Sequence, residues 1–98
     1  MTFQGHPVRQ AVLNGETIEY VADQLVVKLK AGFANDSRAQ RAVIACLPKH
    51  SSFEQAFTRG GRAVFHLPEG TDPLDIAERL SVREDVEFAE PNYLHSGA

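Results

Sequence analysis

The side chains able to do covalent or acid–base chemistry are few and scattered: four histidines (His6, His50, His66 and His95), one cysteine (Cys46), and Ser51 and Ser52 beside His50. A nucleophile and its base must meet in space from rigid elements, and no strand-turn-helix elbow surrounds either serine. The histidines lack metal-ligand spacing with one another or with Cys46, so the pattern indicates neither a metal site nor a cofactor. Cys46 falls in an apolar helical stripe, where a small buried core residue is expected rather than a reactive thiol. These residues read as parts of a binding domain and not of an enzyme.

The elements that would position a binding surface must fit in 98 residues, enough for one domain that buries roughly 60–65% of its unfolded-chain surface. With 43% hydrophobic and 23% charged residues, the composition is that of a soluble globular chain rather than a disordered or membrane one. A net charge of −3 and a pI near 5.7 argue against a nucleic-acid partner, and no membrane partner is expected. Met1–Pro7 has neither a basic nor an apolar region of the kind a signal peptide needs, so an exported precursor is expected only if its leader lies elsewhere.

Residues 1–16 hold the turn-forming pairs His6-Pro7 and Asn14-Gly15 without sustained periodicity and read as a flexible arm or a short extra hairpin. Alternation over Thr17–Lys30 predicts the first core strand, with Leu25, Val27 and Leu29 on one face and Val26, Lys28 and Lys30 on the other. Ser37 and Gln40 form a capping-box pattern ahead of Ala39, Ala42, Val43, Cys46 and Leu47, which predicts a helix ended by Pro48. Strands at 52–58 and 62–67, joined through Arg59-Gly60-Gly61, predict a hairpin. Asp72-Pro73 is a helix start, with Leu74, Ile76, Ala77 and Leu80 as its apolar stripe. A last strand over 85–90 is expected to put Val86 and Phe88 on the core face, with Glu90-Pro91 as its stop. The order β-α-β-β-α-β predicts an α+β ferredoxin-like fold, in which two helices cover one face of a four-stranded antiparallel sheet. The domain proper would span 17–93 and a C-terminal tail 94–98.

Such a sheet leaves one face uncovered. Its expected residues, Val26, Lys28, Ala56, Val64, His66, Glu87 and Ala89, are small and mixed in polarity, which suits either docking on a partner or a solvated face. The same plan serves RNA-recognition domains, but the two stacking positions of the third strand would be Gly61 and Ala63, and the first strand offers Val26; no aromatic platform exists for bases.

Four segments in order, Leu25-Val-Val-Lys-Leu-Lys, Ala63-Val-Phe-His-Leu-Pro, Asp72-Pro-Leu-Asp-Ile-Ala-Glu-Arg-Leu and Val86-Glu-Phe-Ala-Glu-Pro-Asn-Tyr, resemble the propeptides of subtilisin-like serine proteases from about Gln24 to Ala98. The signatures of the protease itself are missing, so the resemblance is to the prodomain alone. It implies an intramolecular chaperone and product-like inhibitor whose open sheet face packs on two surface helices of the protease. Glu90 and Asn92 would occupy the places of the acids that cap those helices, Asn92 without the charge. Leu94, His95, Ser96, Gly97 and Ala98 would lie as a strand in the active-site cleft, with Ala98, or Gly97 in a shifted register, next to the cut bond. The implied partner is a subtilisin-like catalytic domain, the free domain is expected to be a monomer, and an exported precursor would place it outside the cell. A free-standing subtilisin inhibitor and a ferredoxin-like ligand-sensing or dimerisation module are the alternatives.

Overall fold

A computed structural model describes residues 2–94. Its organising element is a strand of fourteen residues, Glu16–Leu29, long enough to serve two sets of neighbours. We number the strands β1 (Thr2–Phe3), β2 (His6–Leu13), β3 (Glu16–Leu29), β4 (Ser52–Gln55), β5 (Arg62–His66) and β6 (Val86–Leu94), and the helices α1 (Ser37–Ala45) and α2 (Pro73–Ser81). One edge of β3 pairs first with β2, ending at Val8–Val21, and then with β5, starting at Gln24–His66; β4 lies beyond β5. The other edge pairs with β6 from Glu19–Leu94 to Leu29–Val86.

The expected four-stranded ferredoxin-like sheet is therefore not what forms. Six antiparallel strands make a single curled, half-open sheet with two helices. The difference comes from residues 2–16, read as an arm, which supply β1 and β2. Asn14 (φ 53°) and Gly15 (φ 81°) are both left-handed, as a two-residue primed turn requires, and the twist of that turn matches the strands it joins. Gln4 and Gly5 repeat the device between β1 and β2.

Between Val21–Asn92 and Leu25–Pro91 the ladder to β6 skips Ala22–Gln24, at the point where the opposite edge of β3 passes from β2 to β5. A bulge of this kind raises local twist and lets a sheet bend. Asp23 stands at the bend. Its carboxylate accepts from His6 Nδ1 at 3.0 Å, lies 3.9 Å from His66 Nε2, and its backbone carbonyl accepts from Leu67 N–H at 2.8 Å, so β2 and the end of β5 meet on one residue.

The core fills one side of the sheet. Leu25, Val27 and Leu29 of β3 and Ala63 and Phe65 of β5, with Leu67 just beyond, meet Ala39 and Val43 of α1 and Ile76, Ala77 and Leu80 of α2. The second helix starts as the sequence indicates, with Asp72 accepting from Leu74 N–H at 3.0 Å and Pro73 in the first turn. Asp72 also accepts from the Tyr20 hydroxyl at 3.2 Å and lies 3.5 Å from Arg9, which ties the helix start to both strands of the hairpin. Burial and the Asp72 carboxylate push the Tyr20 hydroxyl pKa up.

Three local expectations change. The cap of α1 is Asp36, accepting from Arg38 N–H at 2.8 Å, while Gln40 donates to Ala34 C=O; aspartate is at least as good a cap as serine. Cys46 is exposed at the C-terminal cap of α1, because Val43 one turn earlier takes the buried position. Pro91 does not stop the last strand, which runs on to Leu94; proline is tolerated because β6 is an edge strand, and it is buried opposite Leu25. Gly61 (φ +83°) is fixed by its turn: a Cβ there would lie 2.9 Å from Ala34 Cα.

Asp85 leads into β6, nearly buried, and accepts from Arg83 Nε and Nη2, both at 3.0 Å. These bonds hold its carboxyl below the usual carboxylate range against the opposing effect of burial. A lowered carboxyl pKa stabilises the fold above the ordinary carboxylate range and loses that stabilisation as pH falls through the lowered value. Asp85→Asn is expected to cost about 1 kcal/mol at pH 7 in urea unfolding, with the difference from the parent vanishing in strong acid. A cost that is the same at both pH values would contradict the ion-pair account.

Candidate protein-docking face

The side of the sheet opposite the helices is built by register. Gln24, Val26 and Lys28 alternate with the core residues of β3, and their partners on β5 are His66, Val64 and Arg62. On β6 the partners of Val26 and Lys28 are Glu90 and Phe88. Two rows cross the sheet: Val64–Val26–Glu90 and Arg62–Lys28–Phe88.

Ala89, expected on this face, is in the core. It pairs with Val27, retains 9% exposure and belongs to the same cluster as Val86. The cause is a bulge at Glu87, the one residue left over between Lys28–Phe88 and Leu29–Val86. An extra residue in a strand of period two exchanges the faces of everything beyond it. Val86 keeps the core side, Phe88 turns to the open side, and Ala89, Pro91 and Tyr93 follow the core side in its place. The other expected residues, Val26, Lys28, Val64, His66 and Glu87, do lie at this face, although Val26 keeps only 4% of its surface. Ala56 is exposed just past the end of β4.

The electrostatics divide by strand. Lys28 Nζ lies 3.1 Å from Glu87 Oε2, so the bulge residue folds its carboxylate toward the cation beside Phe88. His66 has Asp23 on one ring nitrogen and Glu54 on the other, each at 3.9 Å, with the His6 ring centroid 6.5 Å away. Glu90 is half-buried, and Asn92 Nδ2 donates to Gln24 Oε1 at 2.9 Å. Burial, and secondarily the Glu90 carboxylate, raise the Tyr93 hydroxyl pKa. Of the expected tail, Leu94 ends β6 opposite Glu19, while His95, Ser96, Gly97 and Ala98 lie outside the described residues.

The residues that sequence reasoning missed here are Phe88, Arg62, Gln24, Asp23 and Glu54. For Phe88 a signal existed. Val86 and Phe88 share one phase of alternation and Ala89, Pro91 and Tyr93 the other, and two apolar phases in one strand imply a bulge between them. Among the described residues no group of three histidine, cysteine or acidic side chains is placed to hold a metal ion, and no helix is long and apolar enough to cross a membrane.

Compared with known proteins, residues 6–92 match a family model described as the fervidolysin N-terminal prodomain. No curated protein and no solved structure matches the chain.

The exchanged faces predict opposite phenotypes for adjacent residues. Phe88→Ala, on the open side, should cost about 1 kcal/mol or less, as for a substitution away from the core. Ala89→Arg, which forces a long cation into the cluster around Val27, should cost about 3 kcal/mol or more. Urea unfolding of both variants checks this; a collapse of stability in Phe88→Ala with a stable Ala89→Arg would restore unbroken alternation.

Proposed function

Because the chain belongs to the fervidolysin N-terminal prodomain family, whose members are propeptides of subtilisin-like proteases, we propose that it docks on a subtilase catalytic domain through its open sheet face, assists that domain's folding, and inhibits it through the chain beyond Tyr93. A prodomain is not the catalytic part of such a protein, and on this reading the chain performs no chemistry of its own.

The observation that carries the docking half is the uncovered face itself. Val64 and Phe88 form its accessible apolar part around the nearly buried Val26, with Lys28 and Arg62 among them and the acids Glu87 and Glu90 on the β6 side. Apolar residues supply the area-dependent part of association, and paired charges fix orientation more than affinity. Glu90 and Asn92 point from one strand to one side, two residues apart. A carboxylate at a partner's helix N-terminus meets unpaired N–H groups and the positive end of the dipole, worth roughly 0.3–1 kcal/mol when exposed and up to about 2 when partly buried. Asn92 spends its N–H on Gln24, so its carbonyl oxygen is the end left to accept from a second helix.

Leu94, the last described residue, is still paired in the ladder, so β6 is extended up to the start of the proposed inhibitory tail. An extended segment binds a cleft by main-chain bonds, with alternate side chains entering pockets. As a chaperone, the domain would stabilise the folded catalytic domain by binding it in preference to its unfolded chain.

Titrating the whole chain into a subtilisin-like protease and, separately, into a trypsin-like one tests the proposal. Stoichiometric inhibition of the first and none of the second is expected. Phe88→Arg should stay folded and weaken inhibition by about tenfold or more, about 1.4 kcal/mol. Absence of inhibition of any subtilase by the folded chain would overturn the inhibitory role, and undiminished inhibition by Phe88→Arg would remove the open face from the interface.

A further inference from the structure

Among the described residues the sheet exposes the outer sides of β4, β6 and β2. β4 is four residues long and irregular between Phe53 and Gln55. β6 carries the bulge at Glu87, the proline at position 91 and the acids Glu87 and Glu90. Short length, a bulge, a proline or edge charges each keep another strand from adding on. β2 has none of these over Val8–Leu13: its ladder to β3 is unbroken there, and its one charge, Arg9, is turned to Asp72 at 3.5 Å. The short β1 covers its outer side only at His6 and Pro7. Val12 is 70% exposed and Leu13 44%.

Two turns fix which backbone groups point outward. Leu13 and Glu16 close the Asn14–Gly15 turn and exchange both of their bonds; Phe3 and His6 close the Gln4–Gly5 turn and do the same on the other side of β2. Alternation counted from either end agrees. Arg9, Ala11 and Leu13 bond β3, and the N–H and C=O of Gln10 and Val12 face away from it.

We propose that this edge is the interface for a second copy of the chain, the two β2 strands pairing antiparallel about a two-fold axis at Ala11. Hydrogen-bonded pairs form only between residues whose groups point outward, which leaves few registers. With the axis at Gln10, Leu13 of one copy would take the place of Thr2 opposite Pro7 of the other. With the axis at Val12, Gln10 would meet the turn residue Asn14. With the axis at Ala11, Gln10 of each copy exchanges both bonds with Val12 of the other, and Leu13 lies opposite Arg9, short of Thr2.

The side chains fit the same register. Ala11 meets Ala11 at the axis, in the kind of pair that brings two strands closest. Val12 is diagonal to Val12 of the second copy, and Leu13 covers the stem of the second copy's Arg9, whose guanidinium stays with Asp72. No like charges stand opposite each other. This self-complementarity selects a second copy as the occupant, since one patch serves both partners of a closed two-fold pair. A contact one strand wide lies at the small end of protein interfaces, so the dimer is weak and reversible, and the monomer expected from the sequence is its dilute form. β2 lies across β3 from β6, so the pairing goes beyond the propeptide reading and does not depend on it.

Sedimentation equilibrium of the whole chain up to about 1 mM, without protease, tests the proposal. The mean mass should rise from 10.8 kDa toward twice that value with concentration. Val12→Lys, at an exposed site, should stay folded and hold the mass at the monomer value, because the two new cations would repel across the axis. Amide exchange reads the same edge without a variant: Gln10 and Val12 N–H should slow about tenfold between dilute and concentrated samples, while Ala11 and Leu13, bonded to β3, should not change. A chain that stays monomeric throughout would overturn the proposal. So would a dimer that survives Val12→Lys or forms without slowing Gln10 and Val12, since another surface would then join the copies.

Discussion

Every strand but β1 and β4 takes its backbone partners from β3, so the registers along that one strand determine what the rest of the molecule can present. Its fourteen residues are too many for one flat neighbour, and the structure divides them at Ala22–Gln24. Ahead of the division β3 belongs to a hairpin with β2; behind it, to the layer covered by α1 and α2. Asp23, at the division, accepts from His6 and approaches His66, which binds the two halves where the sheet bends. Asp72 does the same from the helix side through Tyr20 and Arg9.

The second irregularity bears more directly on the proposed docking. One residue, Glu87, displaces the alternation of β6 and sends Phe88 to the open face, while Ala89 enters the core. A small side chain at 89 suits its place opposite Val27 beneath the helices, and an aromatic at 88 widens the apolar part of the face that Val26 and Val64 begin. The same shift aligns Glu90 and Asn92 with that face. Without the bulge, those two polar side chains would point into the core, where burying a carboxylate without a partner is costly. Fold and proposed docking face are therefore linked through a single extra residue.

Much of this was legible in the sequence because it rests on local chemistry. Asp72-Pro73 reads as a helix start from the residues alone, and the Leu25, Val27, Leu29 face is evident from period two. The four quoted segments carry the propeptide resemblance, and the family match agrees with it. What was not legible depends on partners distant in the chain. Asn14-Gly15 is a strong hairpin signal, but its flanks, Val8-Arg-Gln-Ala-Val-Leu13 and Glu16-Thr-Ile-Glu-Tyr20, mix polar and apolar residues on both faces, since the hairpin projects largely beyond the core. The extra strands therefore read as an arm, and the fold class was misjudged. Pro91 read as a stop because a proline lacks a donor, yet an edge strand can spare one. The face of Phe88 depended on which of two apolar phases the register with β3 would select, and that choice is made between strands, not within one.

The central claim is that a bulge at Glu87 selects the residues that meet a subtilase. It is tested most directly by following the side-chain methyl resonances of Val26, Val64 and Ala89 and the ring of Phe88 as a subtilisin-like catalytic domain is added to the folded chain. The account predicts that Phe88, Val26 and Val64 change strongly on binding, with intermolecular contacts to Phe88, while Ala89 keeps the shift and the contacts to Val27 that it has in the free domain. Binding in which Ala89 contacts the protease and Phe88 remains packed beneath the helices would contradict it.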